Sequence, residues 1–198
     1  DYSEPDYLYY NQQNGTFKDV IQEKTSQISN FSMGNDMADF NNDGYLDLVT
    51  AEMSPEDNYS IKTSMSGMNP EQFYRLVNNG MHHQYMYNTL QVNTGNGHFS
   101  EIGQLAQIAN TGWSWAALFA DFDLDGYKDL FISNGYKADN SNNDFKIWYK
   151  SALKEFEDNK ATDTVAFMTE VVKRIPSVHI PNYAFRNSQN HQFENKTN

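Results

Sequence analysis

Two stretches of the chain carry oxygen-bearing side chains at a spacing suited to metal binding. Residues 39–47 and 121–129 both follow the pattern D-F-[DN]-x-D-G-Y-x-D. Side-chain oxygens at positions 1, 3, 5 and 9, with a glycine at position 6 that permits a sharp turn, are typical of a loop folded around Ca²⁺, which takes about six to eight oxygen ligands. The backbone carbonyl of position 7 would add one more. The predicted ligands are Asp39, Asn41, Asp43, Tyr45 and Asp47 in the first stretch, and Asp121, Asp123, Asp125, Tyr127 and Asp129 in the second.

The residues around these stretches differ from an EF-hand. An EF-hand loop ends with a bidentate glutamate at position 12 and lies between helices, whereas position 12 is Thr50 in the first stretch and Ile132 in the second. Residues 46–51 and 128–133 are short runs rich in β-branched or aromatic residues, so each loop is predicted to join two strands. Asp, Asn and Gly also favour ordinary surface turns. The second copy favours metal binding, because a turn alone does not require four oxygen side chains at fixed offsets.

The composition excludes several classes of function. The 198 residues carry 26 acidic and 14 basic side chains and a net charge of −12, which argues against nucleic-acid binding because phosphate contacts need clustered Lys and Arg. Cysteine is absent, so there is no disulfide framework or thiol chemistry. No apolar run is long enough for a membrane span, and the first residues lack the basic and apolar regions of a signal peptide.

The two loops belong to a longer internal repeat. Each copy opens with a strand that ends in Asn, a glycine turn, and a Phe followed by an acid. The first two openings are 82 residues apart, and a third opening, at residues 182–194, follows the second after 94 residues. We therefore expect repeat 1 over about residues 6–87, repeat 2 over about 88–181, and the start of repeat 3 over 182–198. Residues matched at the spacing of 82 are Asn11 and Asn93, Gly15 and Gly97, Phe17 and Phe99, Asp39 and Asp121, and Asp47 and Asp129.

A second strand is predicted before each loop, at residues 31–39 and 113–121. The run Trp115–Ala120 is apolar on both faces, which predicts an inner strand covered on both sides. Trp113 and Trp115 would lie on one face of this strand by alternation. Core packing is the favoured interpretation of the pair, and a carbohydrate-stacking platform is the alternative.

The repeats differ after the loops, where two helical insertions are predicted. In residues 54–87 a short helix should begin at Pro70, with Asn69 as N-cap and Gln72 completing a capping box, and should end at Gly80. The adjacent His82 and His83 in this insertion are interpreted as part of a polar surface, because neighbouring side chains diverge on a helix or a strand.

The second insertion, residues 139–180, is predicted to contain two stronger helices that form a hairpin packed on the sheets, with a partner-docking surface as the alternative. The first follows Asn142 and Asn143 as cap candidates, and the second runs from Asp163 to Ile175 and is stopped by Pro176. Their apolar faces are Phe145, Trp148, Tyr149, Ala152 and Phe156 in the first helix, and Val165, Met168, Val172 and Ile175 in the second.

The loop pattern, preceded by an N-x-G-x-F turn, resembles FG-GAP (VCBS-type) repeats, the blades of integrin-α-like β-propellers. More narrowly, Gly112-Trp113-Ser114-Trp115 and the P-N-x-x-F-x-N motif of residues 181–187 resemble bacterial (Bacteroidota) relatives of the cartilage acidic protein family. The resemblance implies a mainly β fold of propeller blades with calcium loops and helical insertions. Because the family propeller usually has seven blades, it also implies a partial propeller and an internal piece of a longer extracellular protein.

The same resemblance assigns the ten residues named above as ligands of two Ca²⁺ ions. Asn41 replaces a carboxylate in the first loop, so the first site is expected to be the weaker one. The ligands of each loop lie within nine consecutive residues and leave no evident open position for a substrate, so the calcium is expected to be structural.

The function expected from these features is that of a non-catalytic extracellular or outer-membrane surface module. Its expected partners are a protein or glycan at the cell surface, the remainder of its own propeller, or a larger outer-membrane complex. The alternative is part of a propeller-type polysaccharide lyase or hydrolase, in which His82, His83 and Tyr85 would be the candidate proton-transfer residues.

Overall fold

The computed structural model describes residues 5–64, 70–136, 138–139, 142–160, 162–177 and 179–197. The chain forms two compact units. The first contains residues 1–56, 68–135 and 180–198, and the second contains residues 57–67 and 136–179.

The first unit is built mainly from antiparallel sheets. A four-stranded sheet has the order β4-β5-β8-β9, and a five-stranded sheet has the order β13-β12-β11-β10-β6. Two smaller pairs are the antiparallel hairpin β1-β2 and the parallel pair β3-β7. The strands are β1 (Tyr9–Asn11), β2 (Phe17–Asp19), β3 (Ile28–Ser29), β4 (Asn35–Ala38), β5 (Asp47–Thr50), β6 (Met53–Ser54), β7 (Gln84–Tyr85), β8 (Thr89–Asn93), β9 (Phe99–Glu101), β10 (Gly112–Ala120), β11 (Asp129–Asn134), β12 (Tyr183–Asn187) and β13 (Phe193–Asn195).

The repeat openings identified in the sequence form the hairpins β1-β2, β8-β9 and β12-β13. Each first strand ends in an asparagine whose side-chain oxygen accepts a hydrogen bond from the backbone N–H two residues later, an Asx turn that reverses the chain. The acceptors are Asn11, Asn93 and Asn187, and the N–H···O distances are 2.8, 3.1 and 2.8 Å. The sequence pattern therefore predicted these turns from local chemistry.

Both large sheets combine strands from successive repeats. The four-stranded sheet contains β4 and β5 from repeat 1 and β8 and β9 from the opening of repeat 2, and the five-stranded sheet contains β10 and β11 from repeat 2, β12 and β13 from the opening of repeat 3, and β6 from repeat 1. In the first sheet, Val49 of β5 lies between Asp36 of β4 and Leu90 of β8. In the second, Leu130 of β11 lies between Phe119 of β10 and Phe185 of β12. The described strands thus form a mainly β structure consistent with a partial β-propeller, as the sequence predicts.

Apolar residues from the two large sheets form one buried core. Phe40 is 1% exposed, and its ring lies 6.2 Å from that of Phe119 and 5.7 Å from that of Phe193. Val49, Leu90, Leu130 and Ile132 are all completely buried in the same cluster. Burial of such side chains stabilises the fold by roughly 1.5–3 kcal/mol each, so this contact holds the two blades together.

The prediction that β10 is covered on both faces is wrong for the described part of the chain. Ala117 and Phe119 are buried, whereas Trp115 and Leu118 are 48% and 50% exposed. The pairing of β10 with β11 is irregular between Ser114 and Ala116, and this bulge turns Trp115 outward. Core packing is therefore wrong for Trp115, whose indole N–H donates to the carbonyl of Gly135 at 2.6 Å.

The three helices predicted from the sequence are present, and two short helices were not predicted. The helices are α1 (Ile21–Lys24), α2 (Asn58–Ser64), α3 (Pro70–Asn78), α4 (Asn143–Asp158) and α5 (Thr164–Arg174), of which α1 and α2 are the two that were not predicted. The helix α3 begins at Pro70 as predicted, while its expected N-cap, Asn69, lies outside the described residues. Of the two cap candidates for α4, Asn142 is the N-cap and accepts from the N–H of Phe145, while Asn143 is the first helical residue. The helix α5 begins one residue later than predicted, because Asp163 is its N-cap and accepts from the N–H of Ala166. None of the described helices is long and apolar enough to span a bilayer.

In the second unit, α4 and α5 pack through aromatic rings. Phe167 of α5 lies 4.7 Å from Phe156 and 6.4 Å from Tyr149 of α4, measured between ring centroids. The face predicted for α5 is not the one that packs. Val165, Met168 and Val172 are 76%, 49% and 64% exposed, whereas Val171 on the other side is 5% exposed. Helical spacing identifies the apolar faces of a helix. The helix α5 has two such faces, and tertiary packing determines which of them is buried.

Candidate metal centre

The two nine-residue stretches form matching loops, each of which joins two neighbouring antiparallel strands of one sheet. The first joins β4 to β5, and the second joins β10 to β11. Their glycines, Gly44 and Gly126, have φ angles of +87° and +92°, a conformation that other residues rarely adopt. The prediction of strand-loop-strand units with a sharp turn at position 6 is therefore confirmed.

Loop amides hold the carboxylates of each loop in place. In the first loop, the two oxygens of Asp39 accept from the N–H groups of Asp43 and Gly44 at 3.0 and 2.9 Å, and Asp43 accepts from that of Tyr45 at 2.9 Å. Asn41 accepts from the N–H of Asp43 at 3.0 Å. The same contacts are made in the second loop. Asp121 accepts from Asp125 and Gly126 at 3.0 Å each, Asp123 from Asp125 at 3.2 Å, and Asp125 from Tyr127 at 2.9 Å.

The aspartate at position 9 of each loop is buried and joins the loop to the next strand. Asp47 is fully buried and accepts from the N–H groups of Phe40 and Asn93 at 3.3 and 2.8 Å. Asp129 is 3% exposed and accepts from those of Phe122 and Asn187 at 3.0 and 2.9 Å. Burial raises the pKa of Asp47 to about 6, although the N–H groups of Asn93 and Phe40 oppose this rise.

The second loop brings three carboxylates close enough to share one cation. Single oxygens of Asp121, Asp123 and Asp129 all lie within 4.8 Å of one another. Because Ca–O distances are roughly 2.3–2.6 Å, two ligands of one ion are separated by at most about 5 Å. The donor set and its spacing therefore fit a hard cation such as Ca²⁺.

Side chains outside the predicted ligand set connect the two loops. The amide of Asn42 donates to the carbonyl of Gly126 at 3.1 Å. The amide nitrogen of Asn187, which is 3% exposed, donates to the carbonyls of Phe40 and Lys128 at 2.8 and 2.9 Å. One buried asparagine thus binds the backbone of both loops, a role that the sequence repeat did not indicate.

An arginine contacts the second loop, and in the described part of the chain a valine, Val92, occupies the corresponding place beside the first loop. The Nε of Arg186 lies 2.8 Å from Asp123 Oδ2, and its Nη2 lies 3.8 Å from Asp125 Oδ2. Sequence analysis missed this residue. The available signal was its place in the repeat, because Arg186 precedes Asn187 where Val92 precedes Asn93.

The three candidate proton-transfer residues of the insertion differ in how far they are exposed to solvent. His82 is 7% exposed and its Nε2 lies 2.9 Å from the hydroxyl of Thr25, whereas His83 is exposed. Tyr85 packs its ring against Phe73, at 5.2 Å between centroids. The Thr25 hydroxyl donates its single proton to the carbonyl of Ile21 at 2.6 Å, so Nε2 of His82 is the donor to Thr25. His82 thus has a packing role and is not part of the polar surface expected for it.

Acid should destabilise the protein partly through His82. Burial, with a smaller contribution from neighbouring His83, lowers the pKa of His82 below its usual value of 6.5. The unfolded chain then binds this proton more readily than the folded chain, so the stabilising contribution is present above pH 6.5 and is lost as the pH falls towards the lowered pKa. Urea unfolding at pH 7.5 and pH 5 should show a smaller loss of stability in His82→Gln, which keeps a donor for Thr25, than in the wild type.

The exposed neighbour is the control for this measurement. His83→Gln removes only the smaller contribution to the lowered pKa of His82, so its loss of stability between pH 7.5 and pH 5 should be slightly smaller than that of the wild type and clearly larger than that of His82→Gln. An equal loss in His82→Gln and the wild type would show that the buried ring does not contribute to the acid response.

The paired sheets and their corresponding acidic loops define a repeat protein of the β-propeller type. The sequence matches the FG-GAP-like repeat over residues 1–50 and 76–132, just over half of the chain, and the chain belongs to this family. No curated protein and no solved structure matched it.

Proposed function

We propose that each loop binds one Ca²⁺ ion and that these ions stabilise the blades. The observation that carries this proposal is the spacing of Asp121, Asp123 and Asp129, whose oxygens lie within 4.8 Å of one another. Asp125 and the Tyr127 carbonyl complete the proposed set, and Asp39, Asn41, Asp43, Asp47 and the Tyr45 carbonyl form the first. Bound calcium would supply positive charge that offsets the repulsion among these carboxylates.

Calcium should raise the stability of the wild type. An ion that binds only the folded state adds RT ln(1 + [L]/Kd), about 2.7 kcal/mol per site at a hundredfold excess over Kd. Isothermal titration should give two ions per chain, and Asp125→Ala should reduce this to one and diminish the rise in melting temperature. Chelation should reverse the stabilisation in the wild type.

Asp158→Asn is the matched control, because Asp158 is an exposed acid at the end of α4, outside both loops. It should leave the calcium stoichiometry at two. The assignment is wrong if Asp125→Ala and Asp158→Asn have the same stoichiometry and the same calcium-dependent melting temperature.

We propose that the whole module binds a partner without catalysing a reaction, at the cell surface or outside the cell. The proposed partner is a protein or a glycan, which binds to the insertions at residues 54–87 and 139–180. The repeat family and the propeller-type sheets support a scaffold role. Pull-down and glycan-array binding should be lost when the insertions are altered. Release of unsaturated product from uronate polysaccharides, abolished in His83→Ala, would instead support the lyase alternative.

We also propose the narrower relationship to bacterial members of the cartilage acidic protein family. The motifs that support it are Gly112-Trp113-Ser114-Trp115 and residues 181–187. In the structure, Asn134 connects these two motifs, because its side chain accepts from Ser114 at 2.8 Å and donates to the carbonyl of Pro181 at 2.9 Å.

A further inference from the structure

We propose that Arg186 is a built-in counter-ion of the second loop and that it lowers the calcium affinity of this loop. The inference rests on the proposed calcium sites. The guanidinium Nε lies 2.8 Å from Asp123 Oδ2, the distance of a charge-assisted hydrogen bond. A second nitrogen lies 3.8 Å from Asp125 Oδ2. Arg186 therefore contacts two of the proposed ligands.

The position of the guanidinium is determined by the strand that carries it. Arg186 belongs to β12, and the next residue, Asn187, donates its backbone N–H to Asp129 at 2.9 Å. The side chain of Asn187 also donates to the carbonyl of Lys128 at 2.9 Å. These bonds fix β12 beside the loop, so Arg186 extends from a fixed base over the carboxylates.

The first loop shows the same site without an arginine. Val92 occupies the corresponding place, because Asn93 donates to Asp47 as Asn187 donates to Asp129. The neutral Asn41 replaces Asp123, and its amide donates to Asp43 Oδ2 at 3.0 Å. Compared with the first loop, the second loop therefore has one more ligand carboxylate and one more guanidinium in contact with it.

Arg186 offsets the additional ligand carboxylate of the second loop. The first site has three ligand carboxylates, and the second has four together with Arg186, so each of these sets carries a net charge of −3; Lys128, which is not a ligand, adds one more positive charge to the second loop. Ligand charge tunes the affinity of calcium loops. Asn41 alone leads to the expectation that the first site is the weaker one, whereas the proposed role of Arg186 leads to the expectation of two sites of similar affinity.

The test is calcium titration of the full chain by calorimetry in an Asp43→Ala background, which leaves only the second loop to be measured. Arg186→Val copies the residue of the first loop and should tighten calcium binding by about two- to fivefold, the range expected for loss of an exposed ion pair. Arg186→Gln should act in the same direction and serves if the valine variant does not fold. In an Asp123→Asn background, Arg186→Val should have less than half of this effect, because its main partner is gone.

The charge control is Lys196→Gln. Lys196 is a nearby exposed cation that pairs with Glu194 at 2.5 Å, so its removal should change the calcium affinity by less than twofold. Equal effects of Arg186→Val and Lys196→Gln would overturn the inference in favour of general electrostatics. Calcium binding that is unchanged in both arginine variants would overturn the inference alone. Absence of calcium binding in every protein, including one with Asp43 intact, would overturn the calcium proposal together with it.

Discussion

Glu52→Gln is expected to lower the free energy of unfolding by about 3 kcal/mol, since a buried acceptor of several hydrogen bonds becomes partly a donor. Glu52 is completely buried. Its Oε2 accepts from the Ser29 hydroxyl and from the N–H groups of Asn30 and Phe31, at 2.6, 2.8 and 2.6 Å. Its Oε1 accepts from the N–H of Met53 at 2.8 Å.

Neither orientation of a glutamine amide satisfies these donors. The –NH2 group would face either the three donors at Oε2 or the one at Oε1, and a donor cannot accept a hydrogen bond. Burial raises the pKa of Glu52, while the hydrogen bonds from Ser29, Phe31, Met53 and Asn30 oppose the rise. These four donors compensate in part for removing the carboxylate from water.

Urea unfolding followed by circular dichroism at pH 7.5 measures the effect. Glu56→Gln is the matched control, because Glu56 is exposed and accepts from the Tyr183 hydroxyl. The control should change stability by less than about 1 kcal/mol. Similar unfolding midpoints for the two variants would contradict the role assigned to Glu52.

Asn187→Asp should destabilise the first unit by about 3 kcal/mol and should impair both loops. The substitution keeps the shape of the side chain, but it turns the donor to Phe40 and Lys128 into an acceptor. The buried carbonyl of Phe40 and the partly buried carbonyl of Lys128 would then lose this donor and face a carboxylate, and an unsatisfied buried polar group costs roughly 1–3 kcal/mol. The measurement is urea unfolding with and without calcium.

The preceding repeat provides the control, Asn93→Asp. The side-chain oxygen of Asn93 accepts from the N–H of Gly95 at 3.1 Å, and an aspartate can accept the same bond. We therefore expect a loss of less than about 1 kcal/mol. If Asn93→Asp destabilises the protein as much as Asn187→Asp does, the bond between the loops is not what stabilises them.

The sequence predicted the elements whose causes are local. Hairpin turns follow from an asparagine that bonds to the N–H two residues later, and α4 and α5 begin at residues that cap them. The geometry at loop positions 1, 3 and 5 is local as well, because these side chains are held by amides at most five residues away, whereas the aspartates at position 9 also accept from the distant N–H groups of Asn93 and Asn187. Nine consecutive residues were therefore sufficient to predict the proposed ligand set.

Contacts between distant residues were decided only by the tertiary structure. Arg186 reaches Asp123 across 63 residues of sequence, and Asn187 reaches Phe40 across 147. The exposure of Trp115 depends on a bulge, and the choice between the two faces of α5 depends on its neighbour α4. Composition and periodicity specify which side chains are available for such contacts. Strand register and packing determine which of them meet, because both depend on the relative placement of segments that are far apart in the chain.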